Sequence, residues 1–293
     1  MKVSIEHLDP QIDSEIAKAI IEPVTQALNR IVTVGNQFVV NPSHWYWINP
    51  KMKVRPSVVN SAAFLSTHFQ NNLQELGWFK EKTIQDQKID AYIEMPSPLG
   101  HAEFSLPAAS FIPLLNRMSE DDPEGFGLGA SEIFLKYVRG SETYLRNDLI
   151  PYKDLFAAVS SKKPIRVGLE FETGNIASSF RAFQKLDLLS VADEIDIGVF
   201  VTSLNKADCA TKIWPVSNRN GSFEELKKRR YHQQRIYRAI DIGFAPDGFS
   251  ASAPYLGDDG KTYEILETAE QIVLNGTPFI KGSSARGTVF REA

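Results

Sequence analysis

Three short apolar runs separated by helix-length stretches constrain this chain more than any other feature. Residues 165–172 (IRVGLEFE), 194–202 (EIDIGVFVT) and 239–244 (AIDIGF) are strand-sized. The run at 194–202 is apolar enough to be buried on both faces of a sheet. Between the runs, residues 175–189 and the strongly charged residues 222–237 read as helices. Strands alternating with helices imply crossover connections and a largely parallel sheet, hence an α/β architecture.

Upstream, the pattern is helical with an irregular middle. Asp9 and Pro10 look like a helix start, and Ile12, Ile16, Ile20 and Val24 recur every four residues on one face. Pro23 is expected to bend or end that helix. Residues 41–50 read as a loop rich in Asn, Pro and aromatics. Trp45, Tyr46 and Trp47 there could form a base-stacking platform or, as neighbouring aromatics more often do, a satellite core. A second helix from Ser57 carries Val58, Ala62, Leu65, Phe69, Leu73 and Leu76 as one buried stripe. Residues 88–93 alternate as a short strand. Residues 95–163 then break the pattern with Pro, Gly and acids, leaving one helix at 131–138. Gly125, Gly127 and Gly129 lack a preceding strand and phosphate-loop spacing, so they read as a turn before that helix. At the far end, residues 257–260 mark a turn, and residues 281–287 read as a flexible basic tail.

At about 150 residues per domain, 293 residues allow two modest domains or one large one. No run of 18 apolar residues supplies a membrane span, and residues 1–10 do not read as a secretory signal. The lone cysteine, Cys209, can make neither an internal disulfide nor a thiolate metal cluster, which suits a reducing cytoplasm. A net charge of −4 means that any polyanion would meet a local basic patch rather than a basic protein. Acids gathered at a divalent cation would account for part of that charge. Lys227, Lys228, Arg229, Arg230, Arg235 and Arg238 are candidates for the basic patch, or else a solvated helix face. Lys281, Arg286 and Arg291 in the tail could reach phosphates.

Glu170 and Glu172 stand two apart on a strand, so both side chains emerge on one face. Val167, Leu169 and Phe171 take the opposite face, which suggests a packed strand projecting its acids at a cleft where strand hands over to helix. Asp90, among Ile89, Tyr92 and Ile93, is a third candidate. Three convergent carboxylates suit a hard cation such as Mg²⁺, which takes oxygen ligands and keeps water. An ordinary set of surface acids is the other reading of the spacing.

The residues running from Arg166 through Glu170, Glu172, Thr173, Gly174 and Asn175 to Arg181 carry more than spacing. Together with Lys185, Leu186 and residues 194–197, the stretch closely resembles the BamHI family of type II restriction endonucleases. The resemblance resumes at residues 217–219, 222–226 and 242–244, and upstream at residues 78–82 and 88–90. It covers roughly a third of the chain, and this ordered series is specific where a lone E-x-E is not.

The resemblance implies a restriction-endonuclease-like core of the PD-(D/E)XK superfamily, with a glutamate in place of the usual lysine. Its central sheet would be mixed, partly parallel, and flanked by helices. Carried across by position, Asp90 and Glu170 would bridge metal ions, and the Phe171 carbonyl would add an oxygen. Glu172 would act as general base or orient the attacking water, and Glu81 would help hold a second ion. Mg²⁺ is the implied cofactor, with Mn²⁺ able to substitute. Asn175, Arg181, Asn218 and Arg219 would meet the bases of double-stranded DNA, arginine suiting guanine edges and asparagine adenine or mixed ones. Ala177 and Asn218 depart from the family's serine and aspartate, so an identical recognition sequence is not expected.

Asp90 and Glu170 lie 80 positions apart, farther than in the family, which makes residues 95–163 an expected insertion. The division is then 1–94 (helical part and first catalytic strand), 95–163 (insertion) and 164–293 (the rest of the core, with its tail). A homodimer on a palindrome is the economical assembly, and a protective DNA methyltransferase is the expected functional partner. Two rival readings are a glycosidase using paired carboxylates and a DNA-binding protein, inactive or non-specific, on a nuclease fold. The glycosidase leaves Asp90, the arginines and the motif series unexplained. Three intact acids argue against the binder.

Overall fold

The computed structural model describes residues 1–43, 45–48, 51–57, 60–96, 102–123, 126, 128–138, 145, 147–160, 164–173, 176–204, 222–228, 237–284 and 287–293. The chain opens with β1 (Lys2–Leu8) and α1 (Ser14–Asn29), then passes through β2 (Trp45–Ile48) and β3 (Val54–Ser57) to α2 (Ala62–Glu75). Next come β4 (Phe79–Lys80), β5 (Ala91–Met95), β6 (Ala102–Ser105), α3 (Ala108–Asp121), α4 (Leu128–Val138), a 3-10 helix (Asn147–Leu155) and β7 (Ala157–Ser160). The second half carries β8 (Ile165–Glu172), α5 (Ile176–Val191), β9 (Ile197–Ser203), α6 (Phe223–Lys228) and β10 (Arg238–Ala245). It ends with β11 (Leu266–Leu274), β12 (Thr277–Ser284) and β13 (Gly287–Glu292).

A six-stranded sheet of order β1-β10-β9-β8-β5-β4 is the centre of the molecule. Strands β8, β9 and β10 run parallel, and β1, β5 and β4 join antiparallel. The sheet is therefore mixed, as the resemblance implied, and less parallel than the strand–helix alternation alone suggested. The N-terminal strand is an addition: Val3 and Ile5 of β1 pair with Phe244 and Ile242.

Helices cover both faces. On one, Ile16, Ile20, Val24 and Leu28 of α1 and Leu65, Phe69 and Leu73 of α2 pack on Val167, Leu169 and Phe171 of β8 and their neighbours in β9 and β10. On the other, Leu186 and Leu189 of α5 join Ile195, Tyr237 and Ala239, and Phe183 joins Phe200, Phe223 and Leu226. Alternation along β8 thus assigns residues 167, 169 and 171 to the α1/α2 side and residues 166, 168, 170 and 172 to the α5 side. A side chain on Gly198 would place its Cβ 2.5 Å from the buried Tyr237 ring, so only glycine lets that ring lie on the sheet.

Several boundaries moved for local reasons. Helix α1 starts at Ser14, because the Asp13 carboxylate accepts the Glu15 and Ile16 amides and caps it. Pro23 does not end the helix, whose buried stripe holds it to the sheet on both sides of that residue. Helix α2 starts after Ser61, which caps the Ala63 amide, whereas residues 54–57 belong to β3. Of the charged helix expected at 222–237, residues 223–228 are helical, residues 229–236 lie outside the described residues, and Arg238 opens β10, buried at 2 % exposure.

Residues 95–163 carry more order than one helix. Helices α3 and α4, the 3-10 helix and the β6–β7 pair surround a separate core of Leu106, Leu114, Ile133, Tyr137, Leu145, Leu149 and Tyr152. The chain leaves the main sheet at β5 and returns at β8, its antiparallel neighbour, where Met95 pairs with Ile165. Lys136 of α4 donates to the Val191 carbonyl at 2.6 Å, placing a cation at the C-terminal end of α5.

The expected C-terminal tail is instead part of a second sheet, of order β11-β12-β13-β2-β3, so the three C-terminal strands build one layer with β2 and β3. Asn275 and Gly276, with φ of 50° and 81°, make the two-residue turn between β11 and β12. The aromatic segment at 45–47 is therefore strand rather than loop. Its Trp45 is core, packed with Tyr255 and Val289 and donating from Nε1 to the Tyr255 hydroxyl at 2.6 Å.

Candidate active site

Glu170 projects from β8 toward α5 and is 2 % exposed although its neighbours are apolar strands. A carboxylate in such a place needs a partner, and the crossover helix supplies it. The Lys185 ammonium, on α5, donates to both Glu170 oxygens at 2.8 Å and to the Lys88 carbonyl at 2.7 Å. Asp90 sits where the chain enters β5. Its Oδ2 accepts the Phe171 amide at 2.8 Å, and its Oδ1 accepts Gln70 Nε2 at 3.1 Å. The Phe171 peptide thus ties Asp90 to the strand that carries Glu170. The Phe171 ring points away into the core, stacked between Phe69 and Phe244.

Glu81 adjoins Asp90 through the backbone: its amide donates to the Asp90 carbonyl at 3.0 Å. It occupies the left-handed region, φ 52°, which an L side chain enters at a cost. Its carboxylate pairs with Lys88 at 2.9 Å. Glu172 ends β8, half-buried, and its carbonyl accepts from Thr202 Oγ1 at 2.6 Å.

Asp90 and Glu170 both feel neighbouring acids. Burial, then the negative charge of Asp90, push the Glu170 carboxyl up to about 8; Lys185 pulls it down and the Glu172 charge adds to the rise. Burial raises the Asp90 carboxyl as well, opposed by the Phe171 amide and Lys185 and assisted by Glu81. Acidic charge has thus been concentrated where water is scarce and repulsion is costly, the usual mark of a functional site.

Among the described residues, no group of three His, Cys, Asp or Glu side chains is arranged to hold a metal ion as the structure stands. The donor chemistry nevertheless fits a hard divalent cation. Every candidate ligand is an oxygen, and the Lys185 ammonium already occupies a trio of oxygens as a positive stand-in. Asp90 and Glu170, linked by the Phe171 peptide, are the residues that would hold such an ion.

Asp90, Glu170, Phe171, Glu172 and Glu81 of the sequence-derived site therefore lie close together where β8 and β5 adjoin, with Glu170 and Glu172 on the α5 side of β8. Arg181 lies exposed on α5, with Nη2 3.5 Å from Ser178 Oγ. Asn175, Asn218 and Arg219 lie outside the described residues. The basic patches need correction. Lys227 pairs with Glu6, and Lys228 with Glu224 and Glu225. Arg238 is buried and donates to the Asp196 carbonyl. In the former tail, Lys281 and Arg291 pair across strands with Glu270 and Glu267. Arg229, Arg230, Arg235 and Arg286 lie outside the described residues.

Sequence reasoning had no role for Lys185 or Gln70. Lys185 stood within the quoted motif, but its partner is 15 residues away and only the β8–α5 crossover brings the two together.

A partly buried ion-pair network, with Asp196 its buried member, braces the opposite end of β8. The Arg166 guanidinium donates to both Asp196 oxygens, at 3.0 Å each, and to Asp193 Oδ1 at 2.8 Å. Against the cost of burial, Arg166 holds the Asp196 carboxyl below the usual carboxylate range. This network fixes the register of β8 and β9 while the other end of β8 presents the acids.

A family model described as restriction endonuclease BamHI matches residues 1–261. Among curated proteins, the type II restriction enzyme BamHI of Bacillus amyloliquefaciens is 32% identical over 112 residues, covering 38% of this chain and 50% of that enzyme. The chain thus spans about half the length of the curated relative it matches.

Proposed function

The chain belongs to the BamHI restriction endonuclease family, and from that premise we propose that it is a Mg²⁺-dependent, site-specific deoxyribonuclease acting on double-stranded DNA. The observation that carries the reading is the pair Asp90 and Glu170: half-buried Asp90, at the entry to β5, accepts the Phe171 amide from the peptide that follows buried Glu170, and its charge helps to raise the Glu170 carboxyl. A structural salt bridge needs one acid per base. Glu170 with Asp90 and Glu172 acting on it, and Asp90 with Glu81 acting on it, suit a site that receives a cation and a phosphate.

In this reading Asp90, Glu170 and the Phe171 carbonyl would hold the ion, Mg²⁺ or in its place Mn²⁺, and Glu81 would help position a second. The ion supplies charge relief on the phosphoryl oxygens and lowers the cost of ionising water. Glu172, at the mouth of the strand, accepts the proton of the attacking water or orients it. Water adds to phosphorus as the bond to the 3′-oxygen breaks, leaving a 5′-phosphate and a 3′-hydroxyl. Arg181, with Asn175, Asn218 and Arg219, reads base edges from the start of α5 and the loop before α6. Residues 95–163 are an insertion in this core, and their separate hydrophobic cluster and tie to α5 support that division. The functional unit is a homodimer on a palindromic site in the cytoplasm, with a cognate methyltransferase protecting the host genome. No helix among the described residues is long and apolar enough to cross a membrane.

The test is incubation with unmethylated phage DNA in Mg²⁺ and in EDTA. Discrete fragments with 5′-phosphate ends, formed only with the ion, are expected. A smear would sink the site-specific claim, and intact DNA in both Mg²⁺ and Mn²⁺ would favour a non-cleaving DNA-binding protein.

A further inference from the structure

Lys185 has three ammonium protons and three oxygens around it: both Glu170 oxygens and the Lys88 carbonyl. Those oxygens come from both walls of the site, Glu170 from β8 and Lys88 from the segment two residues before Asp90. The ammonium therefore does what a small hard cation would do, gathering oxygens from two segments and offsetting the charge between them. It reaches this position on the flexible stem of a side chain rooted in α5, and it is one-quarter exposed, so it can swing out without unpacking the helix.

A divalent ion that uses Glu170 must take at least one of the oxygens that Lys185 now holds. The two cations are rivals for the same carboxylate, and their mutual repulsion acts at short range in a poorly solvated place. We propose that Lys185 is a tethered counter-cation that keeps the Glu170 carboxylate in position in the ion-free protein and is displaced when the divalent ion binds. This rests on the metal-dependent reading above and adds to it a built-in brake on ion occupancy. The same contact makes Lys185 a positioning residue: without it, Glu170 loses the cation that offsets its charge and that of Asp90.

The experiment is Mg²⁺ binding by calorimetry to the purified full chain, without DNA. It compares wild type, Lys185→Met, Lys185→Arg and Glu170→Ala, with a melting curve for each in EDTA. Lys185→Met is expected to bind Mg²⁺ about tenfold more tightly, the scale of one lost charge-assisted contact, while melting at a lower temperature without the ion. Lys185→Arg, which keeps the charge, is expected to stay near wild type, and Glu170→Ala to lose the site. Lys185→Gln repeats the comparison if the methionine variant does not fold.

Unchanged or weaker binding in both uncharged variants would overturn the proposal while leaving metal dependence intact. A merely structural lysine would lower the melting temperature without tightening the ion. Absence of Mg²⁺ binding in every protein, wild type included, would instead overturn the metal-dependent reading and this inference with it.

Discussion

The two large sheets treat charge in opposite ways. In the six-stranded sheet every residue of β9 and β10 is buried, yet Arg166, Asp196, Glu170 and Lys185 have been brought into or against it. In the five-stranded sheet β11 exposes six of its nine residues, and its ion pairs, Arg291 with Glu267 and Lys281 with Glu270, have exposed carboxylates and half-buried cations. The chemistry of the pairs is the same. What differs is the consequence of removing one partner, because a buried charge left alone has no water to turn to, whereas an exposed one loses little.

The sharpest way to break this contrast is Arg166→Ala. It removes the guanidinium from the buried Asp196 and leaves that carboxylate the residue-166 amide and the charge of Arg238, so about 1.5–3 kcal/mol of unfolding free energy should be lost, read by denaturant titration. A loss as small as that of a surface pair would refute the contrast. Asp90→Ala should lower cleavage by about a hundred- to a thousand-fold, the scale of one lost electrostatic element, with DNA affinity largely kept, as single-turnover assays and gel shifts would report.

The pH dependence of the ion-free protein sharpens the comparison further. Below its ordinary value of 4.5 the Glu170 carboxyl is protonated in both folded and unfolded chains, so it has no effect there. From 4.5 to about 8 the unfolded chain releases that proton and the folded chain keeps it, so stability falls as pH rises. Glu170→Gln should flatten that fall, measured as melting temperature against pH. A wild type that gains stability across this window would contradict it. Arg291→Ala, in the exposed sheet, should cost about 1 kcal/mol or less, and added salt should shrink even that.

The same contrast explains what the amino-acid sequence discloses. Strands β8, β9 and β10 are buried, so their apolar runs stand out, and the alternation of Val167, Leu169 and Phe171 with Glu170 and Glu172 forecasts which face carries the acids. Strand β11 carries Glu267, Glu270 and Gln271 on an exposed layer and shows no clean alternation. Its one legible mark was the Asn275–Gly276 turn, and reading residues 281–287 as a flexible tail passed over it. Strand β1 hides at the N-terminus with Ile5 and Leu8 exposed on the sheet edge. Helix α3 was masked by Pro107 and Pro113, although Pro107 stands at its N-cap and Pro113 is accommodated within it. In the site, the acids were legible because their residue types and order carry the chemistry. Gln70 and Lys185 were not, because their importance arises from which helices the fold lays beside β8.

Glu170 is where burial, charge and family pattern meet, so the most direct measurement is single-turnover cleavage and duplex binding by wild type and Glu170→Ala in Mg²⁺, side by side. The account predicts that the variant still binds duplex DNA and yields no discrete fragments, while wild type cuts. A Glu170→Ala protein that cuts at the wild-type rate would contradict it and move the hydrolytic centre away from these four acids.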